Sequence, residues 1–492
     1  MSDSNYKSLF KATGLFGIVE LIRILLRVIV NMFASKFLGP VGVGLIGFVE
    51  NTTQLIISLT SFGLNFTGIR EIASNKLSNE LQSSIKFINL FSLATGFLAA
   101  IISILFSTYL SRGTFGTDKY SIWFVFLAVY FVCTSFVQSR TIILEGLQEI
   151  KKLLVLNIIT NVINVVIIIS CYYLYNIQGI ILSMILTSVI NMIFFWRGTK
   201  KYNISSVKIP KEELKNNFKR FTKSGSLLAL NTCIGLSGYL LIRYYLKPID
   251  EGVVLGYYHV GNILMVSYVG ILFIGINKFY FPKLTQSLKT DNEFETNKLI
   301  NNQLELCLII LMPAIFLLYF LGDIFIKLLF SVNFLPVYEI LIFGLVSIFF
   351  RGFNYIVGYI ILSHNNFKQY FYINAISDIF NILFTIVFYK YIGLYGIGLA
   401  ITINYILSAM YTYYFAKINY SFNLEKQSKK LLLFTIISCL IIILCYFYFN
   451  ELAYRLSTIL FFVLSIIYSG FKLDKYLLNE LLMRKIKSIL NK

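Results

Sequence analysis

Residues 153–196 read LLVLNIITNVINVVIIISCYYLYNIQGIILSMILTSVINMIFFW, with no Asp, Glu, Lys or Arg between Lys152 and Arg197. Two apolar runs, 153–174 and 179–196, flank a short polar break at Asn176 and Gln178. Each is near the roughly 20 residues that carry a helix across about 30 Å of hydrocarbon, and twice the roughly 10 of a barrel strand. Outward from this pair, the same pattern predicts spans near 13–37, 43–69, 87–110 and 120–143 on one side. On the other side it predicts spans near 224–246, 252–276, 302–322, 335–362, 369–389, 396–416, 431–449 and 453–470. The chain therefore reads as an all-α polytopic membrane protein of about fourteen transmembrane helices. Its composition agrees, with 57% hydrophobic and 13% charged residues against roughly 45–50% and about 25% in soluble domains.

The polar breaks divide the chain into a six-helix lobe (1–196), a basic amphipathic linker (197–223), a second six-helix lobe (224–417), two further spans (418–470) and a basic amphipathic tail (471–492). Leu38, Pro40, Gly44 and Arg70 precede Leu246, Pro248, Gly252 and Lys278 by 208 residues each. An even number of spans separates such copies, which predicts a parallel pseudo-two-fold along the membrane normal with a site between the lobes. The net charge of +20 sits in loops beside spans, so it reads as an orientation signal and not as a nucleic-acid footprint. Of the 43 Lys and Arg, 31 fall on the side of the termini, seven on the other and five within spans, which predicts both termini in the cytoplasm. The tail 1–11 is polar, and Glu20, Arg23 and Arg27 interrupt the apolar stretch after it, so the first span reads as retained. Two stretches, Lys211–Thr222 with Leu214, Phe218 and Phe221 on one face, and 471–492, either lie on the anionic inner leaflet or form a solvated basic linker and tail.

Charges inside a span cost several kcal/mol, on the order of 3 at the centre of a helix, so each requires a reason. Glu20, Arg23, Arg27 and Asn31 share one face of the first span, and Glu50, followed one turn later by Gln54, lies in the second. Either these groups neutralise one another and hold helices together, or the arginines form a cationic wall for an anionic headgroup. Arg351 and Asp378 offer the same choice in the second half, Asp378 standing on a stripe with Asn374, Asn381 and Thr385. Arg140 and Arg243 lie near span ends, where long side chains snorkel to the interface or serve a substrate. Asn157, Asn161 and Asn164 either meet sugar hydroxyls or join helices. Catalysis finds little support: His259 and His364 are far apart, the six cysteines have no ligand spacing, and no phosphate-cradling or nucleophile motif occurs. No metal or cofactor is expected, and coupling to an ion gradient or the membrane potential is left open with the ion unassigned.

Leu21 to Arg27, the turn Lys36-Phe37-Leu38-Gly39-Pro40 running into Gly42, Gly44 and Gly47, and Gly68-Ile69-Arg70-Glu71 resemble the bacterial O-antigen and capsular polysaccharide flippases. These belong to the multidrug/oligosaccharidyl-lipid/polysaccharide exporter superfamily. The resemblance implies a two-lobed transporter with a partly cationic cavity. It would pass undecaprenyl-diphosphate-linked oligosaccharide from the cytoplasmic to the outer leaflet of the inner membrane, with Arg23 and Arg27 matching the family's arginine-bearing first helix. Partners implied are the lipid-linked substrate, anionic lipids and other polysaccharide assembly proteins. The acidic Glu20, Glu50 and Asp378 keep a cation-coupled multidrug antiporter of the same fold as an alternative. A membrane polysaccharide polymerase or ligase is disfavoured by outer loops of at most about fifteen residues.

Overall fold

The computed structural model describes residues 3–76, 80–202, 210–270, 293–364 and 366–477, with scattered positions between 271 and 292. Every element among them is helical, and eleven helices are long and apolar enough to cross a membrane. The all-α polytopic reading is borne out. The chain packs as two units, residues 1–256 with 329–331, and residues 257–328 with 332–492.

The first unit holds α1 (Asp3–Ser61), α2 (Leu64–Ser74), α3 (Leu81–Leu105), α4 (Ser107–Phe115), α5 (Ser121–Gly146), α6 (Ile150–Tyr175), α7 (Gln178–Gly198), α8 (Lys211–Leu246) and the start of α9 (Val253–Asn262). The two spans expected at 13–37 and 43–69 are the legs of α1, broken at Gly39. Gly39 sits at φ 62, ψ −171, a region open to glycine alone. Pro40 then opens the second leg, where a missing N–H leaves no helical bond unmade. That leg ends earlier than expected, at Ser61, because Gly63 at φ 67 turns the chain into the separate short helix α2.

Helix α8 is one unbroken element of 36 residues, about 54 Å at 1.5 Å per residue. The amphipathic stretch and the span expected from 224 are thus a single helix, longer than the hydrocarbon layer. The apolar face of its first turns packs partly on protein, with Phe221 buried and Phe218 still exposed. Phe221 is 3% exposed, with its ring 4.9 Å from Phe87 and 6.0 Å from Phe91, while Phe218 lies 4.5 Å from Phe91. Arg220 Nη2 donates to Glu71 Oε1 at 2.7 Å beside this cluster. The pair is largely exposed, so its contribution is at most about 1 kcal/mol and the aromatic burial dominates.

The second unit continues from α9 through a π-turn at Ile263–Tyr268 to α10 (Glu293–Phe330), α11 (Val337–Ser363), α12 (Phe367–Ile392), α13 (Leu394–Tyr420), α14 (Lys426–Tyr448) and α15 (Glu451–Leu477). Its centre is α11, which buries Ile340, Leu341, Leu345, Phe349 and Ile356. Close packing of α11 on α13 depends on glycine: a Cβ at Gly398 would stand 2.1 Å from the Ile340 carbonyl oxygen. Thr402 Oγ1 donates to Phe343 O at 2.7 Å in the same seam. This is the small-residue contact by which helices associate in lipid.

The last two helices are fastened at both ends. Asn301 Nδ2 donates to Asn423 O at 2.9 Å, Asn301 Oδ1 accepts from Glu425 N at 2.9 Å, and Ser428 Oγ donates to the buried Glu305. At the other end Tyr338 donates to Tyr319 O, and the Tyr454 hydroxyl lies within hydrogen-bond reach of both the Tyr338 hydroxyl and the same carbonyl, with one proton to give. Of the tail expected to be amphipathic, 478–492 lie outside the described residues.

Candidate functional site

The charges singled out in the first two spans meet in the first unit. Arg27 lies twelve residues before Gly39 and Glu50 eleven after it. Two legs joined at one turn cross the membrane in opposite directions, so both groups stand about 16–18 Å below the turn, near mid-bilayer. Arg27 and Glu50 are both exposed, Arg23 and Asn31 half-buried, and Gln54, one turn beyond Glu50, exposed. Glu50 does not face lipid. Arg27 from the other leg and Arg243 from α8 both act on it electrostatically, and it acts in turn on Tyr130 of α5 and Tyr172 of α6. The carboxylate is thus exposed and at the same time set among groups of α1, α5, α6 and α8. Neither the part played by Arg243 nor that of the two tyrosines was visible in the sequence. Arg243 follows Glu50 by 193 residues, and a tyrosine in an aromatic-rich span carries no distinguishing mark. The side chain of Glu20 lies outside the described residues.

Among the described residues the ion pairs are Arg112–Asp118, Lys201–Glu149, Arg220–Glu71, Arg455–Asp323 and Arg455–Glu451. Arg27 and Glu50 are therefore near neighbours with no direct bridge. The fork of Arg27 stays available to an oxyanion, which it grips bidentately through parallel N–H donors.

The other arginines take different places. Arg140 and Arg243 do not snorkel: they are 3% and 4% exposed. Arg140 Nη1 donates to Tyr202 O at 3.1 Å and its guanidinium lies 4.7 Å from the centre of the Phe136 ring, so it ties the chain after α7 to α5. Beside it, burial pushes the Glu149 carboxyl up, but bonds from the Lys201 ammonium and the Tyr202 hydroxyl outweigh this and hold it below the ordinary range. Arg351 makes no pair with Asp378. Its Nη1 donates to Met265 O at 3.4 Å and Val266 O at 3.2 Å, with Phe273 5.5 Å beneath. The shifted bonding of the π-turn frees carbonyls that an apolar layer cannot satisfy, and the arginine satisfies them. Asp378 is half-buried with no ion-pair partner among the described residues. On the same stripe Asn381 Oδ1 and Thr385 Oγ1 are buried without a hydrogen-bond partner among those residues. In the fifth predicted span, Asn164 Nδ2 donates to Asn191 Oδ1 at 3.1 Å, a helix-joining bond.

Comparison with known proteins places these features. A family model described as "Polysaccharide biosynthesis protein" matches residues 9–288, which include Arg23, Arg27, Glu50 and Arg243. The chain belongs to the polysaccharide biosynthesis protein family. Residues 221–468 of this family member match a second model, described as lipid II flippase MurJ. A capsular polysaccharide biosynthesis protein, CapF of Staphylococcus aureus, is 26% identical over 283 residues, covering 55% of this chain and 69% of that protein. Among solved structures, lipid II flippase MurJ in an inward closed conformation superposes with TM-score 0.72 at 17% identity, covering 94% of this chain and 99% of the other. An inward-facing multidrug resistance MATE family transporter of the MOP superfamily gives TM-score 0.69 at 13% identity, covering 84% and 99%. At these identities the structural likeness establishes the fold. The resemblance carried by the motifs between Leu21 and Glu71 is thereby borne out: this polysaccharide biosynthesis protein is a multi-pass membrane protein of the flippase type.

Proposed function

We propose that this chain carries an undecaprenyl-diphosphate-linked oligosaccharide repeat from the cytoplasmic to the outer leaflet of a bacterial inner membrane, by alternating access, for capsule or O-antigen assembly. The observation that carries the reading is Arg27, exposed at mid-bilayer depth and free of a direct bridge to Glu50. A diphosphate cannot enter hydrocarbon without replacing its water, and forked guanidinium donors replace it with fixed charge-assisted bonds. Half-buried Arg23 on the first leg of α1 and buried Arg243 on α8 add positive potential beside it. The family match and the capsular relative support polysaccharide precursors over drugs as cargo. The 31 to 7 division of basic residues supports cytoplasmic termini. Should transport draw on an ion gradient, Asp378 with Asn374, Asn381 and Thr385 is the coupling site we favour, since an intramembrane carboxylate without an ion-pair partner among the described residues suits reversible cation or proton uptake.

Deleting the gene in its host tests the assignment. Surface glycan is expected to fall sharply while the lipid-linked repeat accumulates, with rescue by the wild-type copy. Unchanged glycan in a host without a second flippase would reject polysaccharide export, and altered drug resistance alone would favour the antiporter.

A further inference from the structure

We infer that Glu50 is the resident counter-ion of the headgroup site, a carboxylate that holds the exposed Arg27 in the field of the buried Arg243 and that the incoming diphosphate displaces from Arg27. The inference rests on the proposed function. Three observations on different elements carry it. Glu50 and Arg27 face the same depth from opposite legs of α1, and both are exposed, so neither is locked into packing. The field of Glu50 falls on guanidinium groups from two helices, Arg27 of α1 and Arg243 of α8, while no direct bridge joins it to Arg27. Gln54, one turn beyond Glu50 on the same face, is exposed as well.

The physical consequence follows from competition for one set of donors. A carboxylate and a diphosphate both satisfy the planar fork of an arginine, and low-dielectric surroundings strengthen whichever is present. Without any anion, clustered arginines repel one another and keep an unneutralised charge inside the membrane, at a cost that Glu50 offsets. With diphosphate bound, Glu50 faces a like charge and weakens the complex. A transporter gains from that weakening, because cargo held equally tightly at every step is not released to the far leaflet. Glu50 therefore trades affinity for release. The same group discriminates against neutral polyprenols, which cannot displace it.

The test uses the full chain in phosphatidylcholine nanodiscs, with undecaprenyl diphosphate as probe and undecaprenol as uncharged control. Wild type is expected to bind the diphosphate in preference to the alcohol. Glu50→Gln is expected to bind it tighter, on the order of tenfold, while cells carrying this variant export less glycan per molecule of transporter. Arg27→Ala is expected to lose the preference. Should Glu50→Gln fail to accumulate, Glu50→Asp carries the same test, since a carboxylate drawn back by one methylene restrains Arg27 less and must also raise affinity. Wild-type binding with Arg27 dependence but equal or weaker binding by both Glu50 variants would overturn the counter-ion role and leave the proposed function standing. No preference of the wild type for the diphosphate would overturn both.

Discussion

Arg27→Ala is expected to abolish most glycan export while the protein remains at its normal level in the membrane. Removing a guanidinium that grips a desolvated anion costs on the order of 2–5 kcal/mol, a loss of roughly thirtyfold to several thousandfold. Arg27→Lys keeps the charge and gives up the bidentate fork, so export is expected to be partial. The measurement is surface glycan divided by transporter content on the same cells. Arg27 is exposed and has no direct bridge to Glu50, and Arg243 also acts on that carboxylate, so the fold is expected to survive its loss. Loss of the protein itself would show the opposite, that Arg27 is held for neutralising Glu50 and that removing it leaves a buried uncompensated charge.

The second large effect concerns packing. Gly256→Val is expected to prevent stable accumulation. A Cβ at Gly256 would sit 2.1 Å from the Pro40 carbonyl oxygen and 2.7 Å from its carbon, and one at Gly44 would sit 2.8 Å from the Gly256 nitrogen. These neighbours are backbone, with no rotamer to give way, so a destabilisation of about 3 kcal/mol or more follows. Gly358→Ala is the internal control. Nothing lies within 4 Å of its Cβ position, and alanine is favoured in a helix by about 1 kcal/mol. Membrane content and thermal midpoint of the two variants should move in opposite directions. A Gly256→Val protein as stable as wild type would mean that the seam between Pro40, Gly44 and Gly256 is open in the working molecule.

Hydropathy makes the spans legible because lipid leaves one solution for a 20-residue apolar run, and the turn at Gly39-Pro40 is legible because only that pair permits the break. Partnerships are harder to read. Arg351 and Asp378 have complementary charges in adjacent spans, which is all that a sequence offers, yet Arg351 is engaged by carbonyls of the π-turn at Met265 and Val266. A π-turn leaves no mark in hydropathy. Amphipathicity at Leu214, Phe218 and Phe221 reveals an apolar face but not its cover, and Phe87 and Phe91 supply the cover from more than 120 residues away. Within the candidate site, one-face spacing identifies Arg23 and Arg27 from their own helix. Arg243 joins them only through tertiary packing of α8 on α1, as in the contact of Ser58 Oγ with Ala229 O at 3.4 Å.

The central claim is that this chain moves a lipid-linked diphosphate sugar between leaflets. Purified protein reconstituted in vesicles, with undecaprenyl-diphosphate-linked oligosaccharide confined to one leaflet, allows its arrival on the other to be followed with an impermeant lectin. Wild-type protein is expected to transfer the lipid many times faster than protein-free vesicles, and the double variant Arg23→Ala, Arg27→Ala at close to the protein-free rate. Transfer by the well-inserted double variant at the wild-type rate, or none by the wild type under any imposed ion gradient or potential, would contradict the account.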